Sequence, residues 1–285
     1  MLPTFVIGLR EGLEASLIVG IIAAFVRRER PSAMPYLWAG VAGAVGLCVA
    51  AGVALHVAEQ ALPQRQQEGL ETVVGLLAVA MVTYMVWWMR QHARELKGDL
   101  EGKAAGALAT GGTWTLIAMA FLAVLREGLE TVVFLLAAFQ ASISPMAAGF
   151  GALLGIVVAV AVGYGIYRGG VKINMARFFR ITGLVLVFVA AGLLATAVHT
   201  AHEAGWFNGM QAQAVDLTWL VRPGTVIAAL LTGMLGIQSR PTTGEAAAWL
   251  VYLVPVAVLV CWPRRTKAAS PPPPVTPATS SPVSA

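Results

Sequence analysis

The pentapeptide Arg-Glu-Gly-Leu-Glu occurs twice in this chain, at residues 10–14 and 126–130, each time inside a long apolar run. With lipid as solvent, each charge would cost roughly 2.5–3.5 kcal/mol at the centre of a lone spanning helix. A chain that carries three such charges twice must give them partners. The simplest arrangement is one site shared by the two segments.

The runs around these motifs exclude an ordinary soluble domain. Of 285 residues, 58% are hydrophobic and 12% charged, and the mean hydropathy is +0.76, the profile of a polytopic membrane protein. Stretches of about 20 residues, enough for a ~30 Å hydrocarbon core, fall at 4–26, 37–57, 71–89, 114–139, 145–167, 181–200 and 246–262. An eighth run, 223–237, is shorter and flanked by Pro, Gly and Gln, so it reads as a re-entrant or interfacial segment. The start Met1-Leu2-Pro3 has no basic region, and Arg10 and Glu11 interrupt the apolar stretch, so the first span is expected to persist in the mature protein.

With seven spans and the N-terminus outside, fourteen of the nineteen Lys and Arg residues fall in loops on the inner side and three on the outer. That bias predicts a cytoplasmic-membrane protein with its C-terminus in the cytoplasm. It also explains the net charge of +5 without nucleic acid. Trp38, Trp87, Trp88, Trp114, Trp206, Trp219, Trp249 and Trp262 lie near run ends, as interfacial anchors do. Cys48 and Cys261 sit in apolar runs and suggest neither a disulfide framework nor a thiolate metal site. The Pro/Ser-rich tail 266–285 reads as disordered and cytoplasmic.

The two pentapeptides head runs one and four, which divides the chain into three spans plus three, about 4–89 and 114–200. An odd triplet enters the membrane in opposite orientation the second time. The expected fold is therefore an all-α integral membrane domain over 1–265. It has seven transmembrane helices, arranged as a 3+3 inverted repeat plus one C-terminal helix.

On a helix, Arg10, Glu11 and Glu14 share one face, as do Arg126, Glu127 and Glu130. Gly12 and Gly128 remove a side chain beside the carboxylates, which lets a neighbouring backbone or an ion come close. Each motif sums to −1, so two facing motifs make an acidic pocket suited to a hard cation. Residues 68–74 repeat residues 127–133 identically, with Gln67 in place of the arginine, and this adds Glu68 and Glu71 near the outer surface. The same topology brings His56, Glu59, His199, His202, Glu203 and Asp216 to that mouth, where acidic and imidazole groups would concentrate cations. A single cluster of this kind is equally explained by an interhelical ion pair; two identical ones in opposed repeats favour a site. The string His-Thr-Ala-His-Glu at 199–203 is not a zinc-protease helix, and no phosphate loop or nucleophile–base pair suggests an enzyme.

With these residues the chain resembles the oxidase-dependent iron permeases, a family that takes in fungal high-affinity iron permeases and bacterial EfeU-type iron-uptake permeases. Their hallmark, Arg-Glu-Gly-Leu-Glu in spans one and four, is matched without substitution. The resemblance covers about residues 1–265. It implies import of Fe3+ or Fe2+ as substrate with no resident cofactor, and Glu11, Glu14, Glu127 and Glu130 as iron-contacting residues. It also implies separate extracytoplasmic partners, an iron-binding protein and a peroxidase or oxidase. Capture at the mouth would fall to Glu68 and Glu71, with His199, His202 and Glu203. Two other readings stand beside it. One keeps the transporter and changes the ion to Mn, Zn or Pb; the other makes the charges a structural lock in a membrane scaffold or sensor.

Overall fold

The architecture is that of a computed structural model that describes residues 1–92, 102, 106, 112–142, 144–167, 175–221, 225, 228, 231–232 and 235–261. The tail 266–285, Trp262 and much of the 223–237 run lie outside the described residues.

Seven long helices account for the apolar runs: α1 Leu2–Glu29, α2 Met34–Gln60, α3 Gln64–His92, α4 Gly112–Gln140, α5 Pro145–Tyr167, α6 Met175–Glu203 and α7 Thr243–Cys261. No strand occurs among the described residues beyond an isolated bridge between Gln213 and Thr242. Proline opens several of these helices, as Pro3, Pro35 and Pro145, where its missing N–H would have had no intrahelical partner. Helices α2, α3, α5, α6 and α7 are long and apolar enough to cross a membrane. The two that fall short of that criterion carry the charged pentapeptides. Together with the exposed aliphatic faces of α2 (Val45, Val49, Val53) and α5 (Leu153, Val157, Val160), this makes the chain an integral, multi-pass, all-α membrane protein.

The helices pack in a specific scheme. α1 lies against α5, α2 against α4, α3 against α6, and α1 meets α4 at the centre. The α1/α5 pair runs parallel. Gly151 adjoins Met1 and Thr4, Gly155 adjoins Phe5 and Leu9, Gly12 faces Ala159, and Gly163 faces Ser16. The α2/α4 pair also runs parallel, with Gly40 on Ile117, Gly128 on Cys48 and Gly52 on Val132. Exchanging the triplets α1–α3 and α4–α6 maps the α1/α5 pairing onto α2/α4 and leaves α3/α6 and α1/α4 as they are. α7 packs on α6 outside that scheme.

Helix α3 begins seven residues ahead of the apolar run 71–89, so Glu68 and Glu71 lie within its first turns. The described part of the 223–237 run folds back against α6. There Gly236, at φ +63°, meets Gly192 so closely that neither backbone has room for a Cβ. Trp249 of α7 donates its indole N–H to the Leu235 carbonyl at 2.6 Å. Trp249 thus serves the interior, and so does Trp88 (below). Trp38, Trp87, Trp114, Trp206 and Trp219 are exposed, as anchors should be.

Candidate metal centre

The register of α1 against α4 brings the two pentapeptides to one level. Glu11, Glu14 and Glu127 are all buried, and one carboxylate oxygen from each lies within 4.8 Å of the others. At that spacing each pair of ionised carboxylates repels by about 3 kcal/mol or more, taking an effective dielectric of about 20. One cation lies inside the cluster. Arg10, 1% exposed, reaches Glu11 Oε1 from Nη1 at 2.9 Å and Glu14 Oε1 from Nη2 at 3.0 Å. The second contact is out of line for a hydrogen bond, and Glu11 Oε2 is buried with no hydrogen-bond partner among the described residues. Ionised together, three carboxylates against one guanidinium carry a formal charge of −2. Orphaned buried oxygens of that kind are met either by a proton or by a cation.

The second motif is set differently. Arg126 is largely exposed, donates from Nε to Glu130 Oε1 at 3.2 Å, and lies over the Trp88 ring with its guanidinium carbon 5.9 Å from the centroid. Glu130 is thereby paired beside the triad, so three of the four expected carboxylates converge. The motif glycines do not face the carboxylate cluster. A Cβ on Gly12 would come within 2.9 Å of the Ala159 Cβ on α5, and one on Gly128 would strike Cys48 Sγ on α2. They set how closely helices approach, which is half of what the sequence suggested.

On the side of the triad toward the Glu29 end of α1 lies a cavity of about 400 Å3, lined by Glu14, Glu127 and Glu130 at its head. Toward the Met1 end the centre is sealed. Ile7, Phe134, Ala137, Leu186, Val187 and Ala190 form a buried apolar layer there. Beyond it, the hydroxyls of Thr72 and Thr200 bond at 2.8 Å between α3 and α6.

Above this seal a second acidic cluster gathers. Glu68 lies beside Glu203 and His199, and Glu71 beside Glu68, Glu59 and Glu203. His199 stands 2.9 Å from Glu245 through Nδ1 and 3.5 Å from Glu203 through Nε2. Glu59 is buried, accepts from Gln140 Nε2 at 2.9 Å, and keeps its second oxygen without a partner among the described residues. At 1.5 Å per residue, Glu71 is about 20 Å along α3 from Met85, the α3 residue that touches Arg10. The cluster is therefore a separate station. His202 is not part of it: its ring donates to the Gly209 carbonyl and packs on Phe207. His56 pairs with Gln60, and Asp216 is occupied by Thr218 and Arg240. The Thr218 hydroxyl and backbone N–H hold the Asp216 carboxyl below the usual range.

Sequence reasoning missed Met85, Trp88 and Glu245. Glu245 had one usable signal, since it is the N3 residue behind Thr242 in a Thr-x-x-Glu capping box, with both reciprocal bonds formed.

Residues 1–266 match the iron permease FTR1 family. The chain is 44% identical over 273 residues to the ferrous iron permease EfeU of Yersinia pestis, covering 95% of this chain and 96% of that one. It is 45% identical over 269 residues to the protein of the same name from Yersinia pseudotuberculosis, covering 93% and 94%. Against that of Escherichia coli O157:H7 it is 40% identical over 273 residues, covering 95% and 99%. No solved structure matches significantly.

Proposed function

The chain belongs to the iron permease FTR1 family, and from that premise we propose that it imports ferrous iron across the cytoplasmic membrane through the Glu11–Glu14–Glu127 centre. One observation carries the reading: three buried carboxylates and one buried arginine form a site of formal charge −2 when ionised, with unpaired oxygens. A divalent ion neutralises that charge, and carboxylate oxygens suit Fe2+ as a borderline-hard ion. The names of the relatives, ferrous iron permeases, agree.

The route begins at the outer station, where Glu68, Glu71, Glu203 and His199, joined by Glu59 and Glu245, gather the ion. A separate extracytoplasmic iron-binding protein, with a peroxidase or oxidase, delivers it there. It then passes to the triad and leaves through the cavity. The positive-inside bias supports this direction, with Met1 outside and the C-terminus in the cytoplasm. The helix pairings, unchanged when the triplets are exchanged, support an inverted repeat of about 4–89 and 114–200. The segment 223–237, the last helix and the tail 266–285 lie outside it. Rocking of one triplet against the other would open each side in turn.

Radiolabelled 55Fe2+ uptake tests the reading in cells carrying Glu14→Gln or Glu127→Gln. Uptake should fall to background with protein levels in the membrane unchanged. Near-normal uptake in both variants would overturn it. Excess Mn2+, Zn2+ or Pb2+ that abolished uptake while itself being carried faster would move the assignment to another divalent ion.

A further inference from the structure

A second cavity, of about 920 Å3, opens toward the Met1 end of the helices, among α1, α4, α6 and the segment that folds back on α6. Hydroxyl and side-chain amide groups border it, Thr4, Gln140, Ser142, Thr196, Gln238 and Ser239 among them, and none of its described lining residues is acidic, basic or imidazole. Ser142 Oγ is buried with no hydrogen-bond partner among the described residues. Along 236–239 the wall is not helical, and Gly236 meets Gly192 about 16 Å in from the Glu203 end of α6. Non-helical backbone at that depth in a membrane is tolerated only where protein buries it or water lies against it.

The cavity is stacked on the triad through the apolar layer. On α1, Thr4 borders the cavity, Ile7 belongs to the layer and Glu11 to the triad, at i, i+3 and i+7, so the three share one helix face. On α4, Ala138 borders the cavity, Phe134 lies in the layer and Glu130 heads the inner cavity, in steps of four residues. On α6, Val189 borders the cavity and Leu186 lies in the layer. Thr4 is about 10 Å along α1 from Glu11, about half the distance that separates Glu71 from Met85 along α3. The cavity also touches the outer station, because Gln140 in its wall donates to Glu59 at 2.9 Å.

We propose, building on the iron reading and the orientation above, that this cavity is the outer vestibule of the ion route, a water-filled chamber that takes a divalent cation with its hydration shell from the outer station and presents it to the apolar layer. Six waters at roughly 30 Å3 each fill about 180 Å3, well within the space. Ile7, Phe134 and Leu186, none more than 2% exposed, close the layer beneath, so the ion sheds its water there. Hydroxyl and amide groups favour water over lipid as the occupant, since lipid would leave them without partners. Neutral oxygens also hold a cation weakly enough for it to move on, as conduction requires. Carboxylates in the same place would compete with the triad.

Thiol labelling of the full chain in spheroplasts tests this. The chain carries Cys48→Ala and Cys261→Ala with a single new cysteine, Thr196→Cys on α6 or Gln238→Cys in the facing wall. A membrane-impermeant cationic methanethiosulfonate added outside should modify both positions. Uptake of 55Fe2+ should then fall roughly tenfold or more against the same variant before labelling, because the adduct occupies the route. Asn208→Cys, exposed in the loop after α6, should be modified with uptake unchanged. Modification by a lipid-soluble maleimide alone would mark a lipid-filled cleft and overturn the proposal. No modification, modification from the cytoplasmic face alone, or modification that leaves uptake intact would overturn it too. Labelling is read as a mass shift and needs no transport, so a poorly transporting variant still shows whether water fills the cavity. The iron reading stands or falls separately, on uptake by Glu14→Gln and Glu127→Gln.

Discussion

Arg10 and Arg126 hold the same place in the same pentapeptide, yet the first is sealed between helices while the second stands in a cavity against Trp88. Burial sets their energetic weight. Removing one partner of a buried charge cluster leaves uncompensated charge and costs about 3–5 kcal/mol, whereas an exposed pair is worth about 0–1 kcal/mol. Arg10→Ala should therefore lower the thermal midpoint of the purified protein strongly and Arg126→Ala only slightly. Equal losses would show that the two motifs are set alike. This asymmetry was invisible in the sequence because the two strings are identical. It arises from their neighbours, chiefly Met85, which meets Arg10 from 75 positions away. That Glu11, Glu14 and Glu127 would face one another was legible, because intramembrane charge must find partners and helical spacing puts each motif on one face. That Glu130 would be claimed by Arg126 was not.

At the level of elements, the apolar runs located the seven long helices found among the described residues, since length and hydropathy are what a bilayer demands. Their ends were less legible. Backbone hydrogen bonding carries α3 past the apolar limit to Gln64, so Glu68 and Glu71 sit within the helix and present their carboxylates beside α6. The motif glycines turned out to be contact points between helices, Gly12 for α5 and Gly128 for α2. Gly12→Leu should thus force α1 and α5 apart at a cost of about 1–3 kcal/mol, the usual range for overpacking. Gly20→Leu, on the same helix with nothing within 4 Å of the added carbon, should be close to neutral. Thermal midpoints of the two variants compare them directly, and equal midpoints would remove the packing role. Glu59, at the end of α2, had been placed at that mouth beforehand from the topology, whereas Glu245 joins the outer cluster only through tertiary folding, from the start of α7.

For the molecule as a whole, the described helices enclose the triad with an apolar layer on the Met1 side and an open cavity on the other. In the proposed orientation that is a state closed to the outside. A cysteine at Ala123, introduced with Cys48 and Cys261 replaced by alanine, should react with a membrane-impermeant thiol reagent from the cytoplasmic face and not from the outer face. Labelling from the outer face alone would reverse the orientation. The most direct measurement of the central claim is an experimental structure of iron-loaded protein with the iron located by its anomalous scattering. The account predicts one strong peak between α1 and α4, bonded to carboxylate oxygens of Glu11, Glu14 and Glu127, and lost in Glu127→Gln. A peak elsewhere, with those three carboxylates unoccupied, would contradict it.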